Sequence, residues 1–427
     1  MSNSNQPSRR HFLKTAAAVA APMVVPATVL GRDGVAAPSE RMTLGCIGVG
    51  NRGTGNLNHF LSEPRTQVLA VCDVDRTHRE RARELAGLDV NSAYIHFQDV
   101  INRDDIDVVS IGTPDHWHAI NTIAAANAGK DIFCEKPVSL TIAEGRKMVD
   151  AVKANDTILQ VGTWRRSIGE CRHACELVRN GYVGELHTIE AVVPEGHAIR
   201  GEIDPAHPEM PVPDGFDYDL WLGPAPEKPY TPGRCHFNFR WILDYSAGFI
   251  TDWGAHYYDV AQWGNNSDDT GPVTISGAAE FPREGLYDAS IKHLITYTYA
   301  TGVRLVAYTG KGGGVKFIGS EGWLHVESNK VTSEPASIAE TVLKDTDKRL
   351  ESPLGNHIYN FVDSVFTRET PAAPIEVGHR SASICHLGHI ATTLKRELHW
   401  DPAKEEFIND AEANLLRDRP GRGPWQL

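Results

Sequence analysis

Leu44-Gly45-Cys46-Ile47-Gly48-Val49-Gly50-Asn51-Arg52-Gly53 decides the fold. An apolar run suited to a buried strand ends in Gly48-x-Gly50-x-x-Gly53, which predicts a strand, a tight turn and a helix. The first glycine permits the turn, the second lets backbone approach a pyrophosphate, and the third lets the helix pack against the strand. The helix N-terminus then faces the anion. A glycine-rich turn alone is common in α/β proteins. Here a second apolar run, Val68-Leu69-Ala70-Val71-Cys72, ends in Asp73, 20 residues after Gly53. That is where a carboxylate holds the ribose hydroxyls of an NAD-type cofactor. Gly48, Gly50, Asn51, Arg52, Gly53 and Asp73 are therefore candidate cofactor residues. Asp73 favours NAD, because a carboxylate repels a 2′-phosphate; Arg76, three residues on, keeps NADP open.

Outward from this stretch, strands are predicted at 43–49, 67–72, 107–111, 131–134 and 158–161. Helices are predicted at 52–61, 76–86, 115–128 and 141–155. The alternation implies a doubly wound parallel sheet, which binds ligands outside the carboxyl ends of its strands. Besides the glycine loop, two strand-end loops then matter. In Thr113-Pro114-Asp115-His116-Trp117-His118, Thr113 is suited to cap a helix with Pro114 at its first position. A lone His-x-His is a poor zinc signature, so Thr113, Pro114, His116 and His118 are read as packing beside the nicotinamide or its ribose, and no metal site is expected. In Glu135-Lys136-Pro137, the lysine points toward the hydride-transfer region and the proline fixes the backbone, with a cis bond open.

Beyond the predicted sheet, Trp164-Arg165-Arg166 leads into a helix near 168–180, and a second domain starts near Gly184. Trp164 and Arg165 are assigned to the cofactor and Arg166 to the substrate. Cys171 and Cys175, four apart, share a helix face and are read as buried. Residues 194–245 are rich in proline and tryptophan, as binding loops often are; aromatic faces among polar groups suit a sugar ring. Arg240, Trp241 and Tyr245 are candidate substrate contacts. If Asp244–Asp259 is helical, Asp252 and His256 lie one turn apart, where a carboxylate and an imidazole can grip a hydroxyl and take its proton. Strands are predicted at 291–299 and 304–308 with a turn at 310–314, an exposed polar excursion at 331–352, and amphipathic helices at 357–367 and 378–398.

These motifs, taken in order, resemble the glucose–fructose oxidoreductase, inositol dehydrogenase and MocA-like family. The residues that carry the resemblance are Gly48-x-Gly50-x-x-Gly53, Thr113-Pro114-Asp115-His116, Glu135-Lys136-Pro137 and Asp252-Trp253-Gly254-Ala255-His256. It covers nearly everything after residue 41. It implies an N-terminal Rossmann domain over 41–165 and a C-terminal α/β domain over 166–400 with a large, mostly antiparallel open sheet. That sheet often serves as an oligomer interface, so a homodimer or homotetramer is expected. It also implies that Asp252 and His256 form the family's catalytic pair. Ser246 and Ala247 stand where glycines are usual, which weakens any choice of substrate. The charged, proline- and glycine-punctuated stretch 401–427 is expected to wrap the surface or a neighbouring subunit.

Composition sets the limits. The 427 residues carry a formal charge of −13. A nucleic-acid partner needs a basic patch, so that class is disfavoured. Ser8-Arg9-Arg10-His11-Phe12-Leu13-Lys14, the apolar run 15–30 broken by Pro22 and Pro26, and Val35-Ala36-Ala37 read as a twin-arginine export signal over 1–37. The run is too short and broken for a stable membrane span. Seven scattered cysteines are no disulfide framework; Cys46 and Cys72 read as small strand hydrophobes.

Oxidising a secondary alcohol removes a hydride from carbon and a proton from oxygen. The nicotinamide takes the hydride. His256, oriented by Asp252, is the expected base, and Lys136 stabilises the alkoxide or relays the proton. A sugar, polyol or glycoside is the expected substrate. Outside the cytoplasm free cofactor is not replenished, so a tightly held, recycled cofactor is expected. Alternatives are redox-neutral cleavage, elimination or epimerisation through a transient keto-sugar, and a non-catalytic nucleotide-containing sugar-binding protein.

Overall fold

The computed structural model describes residues 40–194, 207–350 and 355–427. The predicted export signal, part of the loop 194–245 and the end of the excursion 331–352 lie outside the described residues.

Six parallel strands form the first sheet: β1 (Met42–Ile47), β2 (Thr66–Cys72), β3 (Ala93–Tyr94), β4 (Val108–Ile111), β5 (Asp131–Cys134) and β6 (Leu159–Val161). Their order is β3-β2-β1-β4-β5-β6. All four residues of β4 are buried, as a central strand covered on both faces requires. The crossover helices are Asn51–Ser62, Arg76–Leu85, Asp115–Asn127 and Ile142–Ala154. The last starts with a reciprocal cap in which Thr141 accepts from the Glu144 amide and Glu144 from the Thr141 amide. The predicted elements match closely, except that β1 stops at Ile47. Gly48 takes the turn at φ +75°, and an added Cβ there would sit 2.5 Å from the Thr113 amide. β3 and the helix Phe97–Ile101 were not predicted; two and five residues are too few to show a period.

Nine strands form the second sheet: β7 (Leu186–Val193), β8 (Thr274–Glu280), β9 (Lys292–Thr298), β10 (Arg304–Thr309), β11 (Gly314–Gly319), β12 (Gly322–Glu327), β13 (Lys330–Glu334), β14 (Leu398–Asp401) and β15 (Glu406–Phe407). Their order is β13-β12-β11-β7-β10-β9-β8-β14-β15, antiparallel except for β7 with β10. In β9, His293, Ile295 and Tyr297 are buried while Lys292 and Leu294 are exposed, the period of a half-covered sheet. The covered face shares one core with Val260, Ala261, Ile384 and Leu387 from the helices Gly254–Gly264 and Ile375–Leu394.

Three expectations need correction. Residues 331–334, read as an exposed excursion, belong to β13 and pair with β12. The helix predicted at 378–398 ends at Leu394, because Lys395 turns left-handed (φ 55°) and lets Leu398 start β14. The stretch 244–259 is two helices, Phe249–Asp252 and Gly254–Gly264, not one.

The two sheets are not independent along the chain. The helix His357–Thr367 places Ile358, Phe361 and Val362 in the same core as Leu44, Phe60 and Phe133. The Val161 amide donates to the Ala373 carbonyl at 2.9 Å. Residues 42–427 form one unit. The last stretch is fastened to its own chain. Arg419 donates to Glu144 Oε1 (3.1 Å) and the Asp244 carbonyl (2.9 Å), and the Trp425 ring rests 4.9 Å from that of Trp117. All seven cysteines are buried and unpaired. Among the described residues no helix is long and apolar enough to cross a membrane.

Candidate active site

A cleft of about 620 Å³ opens at the carboxyl ends of the first sheet. Its first wall is the glycine loop. Gly53 is required there because a Cβ would lie 1.8 Å from the Gly48 carbonyl oxygen, a distance no side chain tolerates. The helix Asn51–Ser62 starts without a side-chain cap, and its first bond runs from the Thr54 amide to the Gly50 carbonyl (2.8 Å). The preceding amides have no intrahelical acceptor, which suits a pyrophosphate. Asp73 Oδ2 accepts from the Val49 amide and Oδ1 from the Asp75 amide, both at 2.9 Å. The carboxylate is thus fixed beside the loop it is expected to serve. These features fit a dinucleotide.

Glu135 and Lys136 line the floor. Glu135 Oε1 accepts from Arg52 Nε (2.7 Å) and Asn56 Nδ2 (3.0 Å). Burial pushes the Glu135 carboxyl up, but Arg52, Lys136 and Asn56 outweigh it and hold the group below its ordinary range. Lys136 precedes a cis peptide bond to Pro137. Its Nζ donates to Asp252 Oδ1 (2.7 Å) and to the Asp252 carbonyl (3.1 Å). Arg240 Nε donates to the same Oδ1 at 3.1 Å. Burial pushes the Asp252 carboxyl up; the two cations overturn this and keep it well below the carboxylate range. Asp252 is therefore ionised and engaged with Lys136 and Arg240 rather than with His256. His256 is buried, and its Nδ1 has no hydrogen-bond partner. Burial, then Lys136 and Arg165, push its imidazole far down against a smaller upward pull from Asp252. It is a neutral ring, and the same surroundings make it a weak base. Trp164 (5.9 Å) and Trp253 (6.2 Å) stand edge-on to it.

The predicted residues separate into groups. Gly48, Gly50, Asn51, Arg52, Asp73, Thr113, Pro114, Glu135, Lys136 and Arg240 line the cleft. Asp252 adjoins it through Lys136, whereas His256 and Trp164 stand behind the lining, edge-on to each other, and His256 feels the cleft through the charge of Lys136. Arg165 lies over Trp164 (5.1 Å) and Tyr257 (4.5 Å) and donates to Ser328 Oγ (2.8 Å). Six residues sit elsewhere than expected. His116 and His118 turn inward: His116 Nε2 lies 3.0 Å from the Trp221 carbonyl, and His118 spans the Pro137 (2.7 Å) and Thr113 (2.9 Å) carbonyls. They brace the loops rather than face the cleft. Arg166 is buried against Asp259 (2.9 Å) and Asp268 (2.7 Å), with no arm free for a substrate. Trp241 packs on Phe249 at 4.7 Å, and Tyr245 is fully buried with its hydroxyl 3.4 Å from Arg234 Nη1. Arg76 lies outside the cleft, its guanidinium against Gly215. Thr113 does not cap its helix: Pro114 takes the cap position, and the Thr113 hydroxyl accepts from Asn121 instead (3.3 Å).

The aromatic loop does reach the cleft, through Phe216, Trp221, Phe237 and Phe239. Sequence reasoning missed five polar wall residues: Asp75, His78, Asp115, Asn121 and His236. Asp115 is buried with Oδ2 unpartnered, and burial pushes its carboxyl up. Its place within Thr113–His118 was a usable signal. His78 and His236 had none, since they meet only in three dimensions.

Fold and cleft together define a dinucleotide-binding protein whose second, sheet-forming half carries charged groups to the cleft floor. The chain belongs to the Gfo/Idh/MocA oxidoreductase family. Residues 42–163 match its NAD-binding Rossmann fold and residues 202–427 its C-terminal alpha/beta domain. Residues 6–26 match the signal sequence of the twin-arginine translocation pathway. A curated relative, the Glycosyl hydrolase family 109 protein of Shewanella pealeana, is 32% identical over 221 residues, 46% of this chain and 48% of the relative. The chain spans about half the length of such relatives. Aldose-aldose oxidoreductase from Caulobacter crescentus, solved with glycerol, is similar in fold (TM-score 0.63, 16% identity, 84% of this chain and 99% of that one). So is the WlbA dehydrogenase from Chromobacterium violaceum, solved with NADH and UDP-GlcNAcA (TM-score 0.64, 14% identity, 85% and 96%).

Proposed function

We propose that this protein is an NAD-dependent oxidoreductase acting on a secondary hydroxyl of a sugar, polyol or glycoside. The observation that carries the reading is the Lys136 ammonium on the cleft floor, held at 2.7 Å by an ionised Asp252, with the neutral ring of His256 nearby. The nicotinamide, when bound, accepts and returns a hydride. Gly48, Gly50, Asn51 and Asp73 hold the dinucleotide, and Glu135 fixes Arg52 at its side. Lys136 donates a hydrogen bond to the reacting hydroxyl and stabilises negative charge as it forms on that oxygen. Asp252, itself held by Arg240, keeps the ammonium in place. His256 is the proposed proton acceptor; burial beside Lys136 and Arg165 keeps its ring neutral at the cost of basicity, so it passes the proton on rather than holding it. Phe216, Trp221, Phe237 and Phe239 offer faces for a sugar ring.

The export signal supports a site of action beyond the cytoplasmic membrane, in the periplasm. There the cofactor must stay bound and be regenerated in place. The exposed face of β9, with Leu294 56% exposed, supports a homodimer or homotetramer formed through the second sheet.

A second reading is redox-neutral glycoside cleavage through a transient keto-sugar. The relative named a glycosyl hydrolase favours it. One experiment separates the two: purified protein is incubated with a panel of sugars and aryl glycosides without added nucleotide. A product two mass units below its substrate, matched by a second sugar carbonyl reduced to its alcohol two mass units higher, supports net oxidation. Release of the aglycone with no net oxidation supports cleavage. Neither product, with nucleotide bound, leaves only a binding role.

A further inference from the structure

Asp73 has a second neighbourhood. Two residues on, Asp75 caps the helix Arg76–Leu85 by accepting from the Thr77 amide at 2.7 Å. His78 follows in the first turn of that helix. His236, from the aromatic loop of the other half, opens the 3-10 turn His236–Trp241. Folding brings one donor atom from each of Asp75, His78 and His236 within 4.8 Å of one another. All three residues line the cleft. His236 Nε2 lies 3.6 Å from Asp75 Oδ2, and the two imidazole centroids are 4.9 Å apart.

Two observations single this cluster out. His236 holds φ at +54°, a left-handed conformation that costs a non-glycine residue on the order of 1 kcal/mol. Among the described residues, no hydrogen bond holds its ring in return. Asp73 Oδ2 also stands 3.7 Å from His78 Nδ1, a few tenths of an ångström short of the hydrogen-bonded carboxylate–histidine pairing that orients metal-ligating imidazoles.

We propose that Asp75, His78 and His236 bind a divalent transition-metal ion of the zinc class. Two imidazoles and one carboxylate with room for further ligands form a borderline-soft donor set that suits such an ion. Ligand bonds of about 2.0–2.2 Å need the donors to close by roughly 1 Å, for which the His236 side chain, 43% exposed, has room on its solvent side. The ion joins the dinucleotide-binding half to the aromatic loop across the cleft. On the cofactor reading above, it fastens that loop beside the ribose end of the nucleotide and slows its escape. This consequence, unlike the site itself, rests on the proposed function.

The test uses the metal-free full chain titrated with Co²⁺, whose visible d–d bands report ordered coordination, followed by displacement with Zn²⁺. The proposal expects saturation at one ion per chain, and loss of the bands in both H236A and H78A. Retained far-UV circular dichroism shows that each variant is folded. No saturable binding, or binding unchanged in both variants, overturns the site. Stopped-flow release of NADH is then measured with and without Zn²⁺. Release slowed about tenfold or more in wild type, but not in H236A, supports the latch; equal rates with the metal bound overturn it. Cobalt coordination is read without substrate or turnover, so failure of the metal site is distinct from failure of the proposed function.

Discussion

Lys136 Nζ and Asp252 Oδ1, at 2.7 Å, join the end of β5 to the short helix Phe249–Asp252 and so connect the floor of the dinucleotide cleft to the second half of the protein. Asp252 is buried and Lys136 partly so, and Arg240 is the third member of the group. A buried charge stripped of its partner is costly, but here Asp252 keeps Arg240 when Lys136 is removed. Lys136→Met is therefore expected to fold and to bind NAD. Its turnover should fall by about 10²–10⁴-fold, the usual share of a positioned proton donor or acceptor. Steady-state kinetics beside calorimetric NAD binding make the comparison. Full turnover would remove Lys136 from the reaction.

Gly53→Ala tests the cradle. The added Cβ meets the Gly48 carbonyl oxygen at 1.8 Å, so the turn or the helix must shift. Overpacking of this kind costs about 1–3 kcal/mol. A lower melting temperature is expected, with NAD affinity weakened about tenfold or more. Gly55, a helix-interior glycine with open space at its Cβ position, is the contrast: Gly55→Ala should raise the melting temperature slightly rather than lower it.

Asp73→Ser addresses cofactor choice. The substitution removes a charged acceptor from the Val49 amide and from the ribose, so NAD affinity should fall about 10- to 100-fold. NADP affinity should not rise to match it, because Arg76 lies against Gly215 outside the cleft. Titrations with both nucleotides decide this. A swap to NADP preference would mean that Arg76 moves.

Acid should weaken the fold. Burial pushes the imidazoles of His293, His357, His386 and His389 down to about 4. In the unfolded chain they titrate near ~6.5. Above that pH both states are neutral and the full stability is present. Below it the unfolded chain takes up protons that the folded chain refuses, so stability falls as pH drops towards about 4 and then levels off. Each ring contributes a slope of up to about 1.4 kcal/mol per pH unit. Urea midpoints at about pH 7.5 and about pH 5 should differ clearly; equal midpoints would contradict buried neutral rings.

What could be read from the chain was local. The strand ends at Gly48, Thr113 and Glu135 announced the cleft because short-range chemistry, a glycine turn or a proline, marks them. Lys136 and Arg240 were found by where they stand relative to predicted elements. Arg166 was misjudged because its partners, Asp259 and Asp268, lie about a hundred residues on and leave no pattern beside it. His116 and Tyr245 look like site residues in sequence and pack against each other in the interior, ring centroids 5.0 Å apart. The break at Trp253 was invisible for a different reason: it is slight, since Trp253 keeps helical backbone angles and its amide still donates to the Phe249 carbonyl at 3.2 Å.

The helix His357–Thr367 and the Ala373 carbonyl complete the core and edge of a sheet whose strands all come before residue 162. On the ribosome, about 200 residues separate Val161 from Phe361, a delay of roughly 10–40 s at ordinary synthesis rates of about 5–20 residues/s. Until then Leu44, Phe60 and Phe133 lack one of their covers. The nucleotide cradle is thus finished late, and its occupant has to be acquired by a nearly complete chain. A protein sent through a route that carries folded cargo would therefore have a narrow interval, between the end of synthesis and departure, in which to take its cofactor on board.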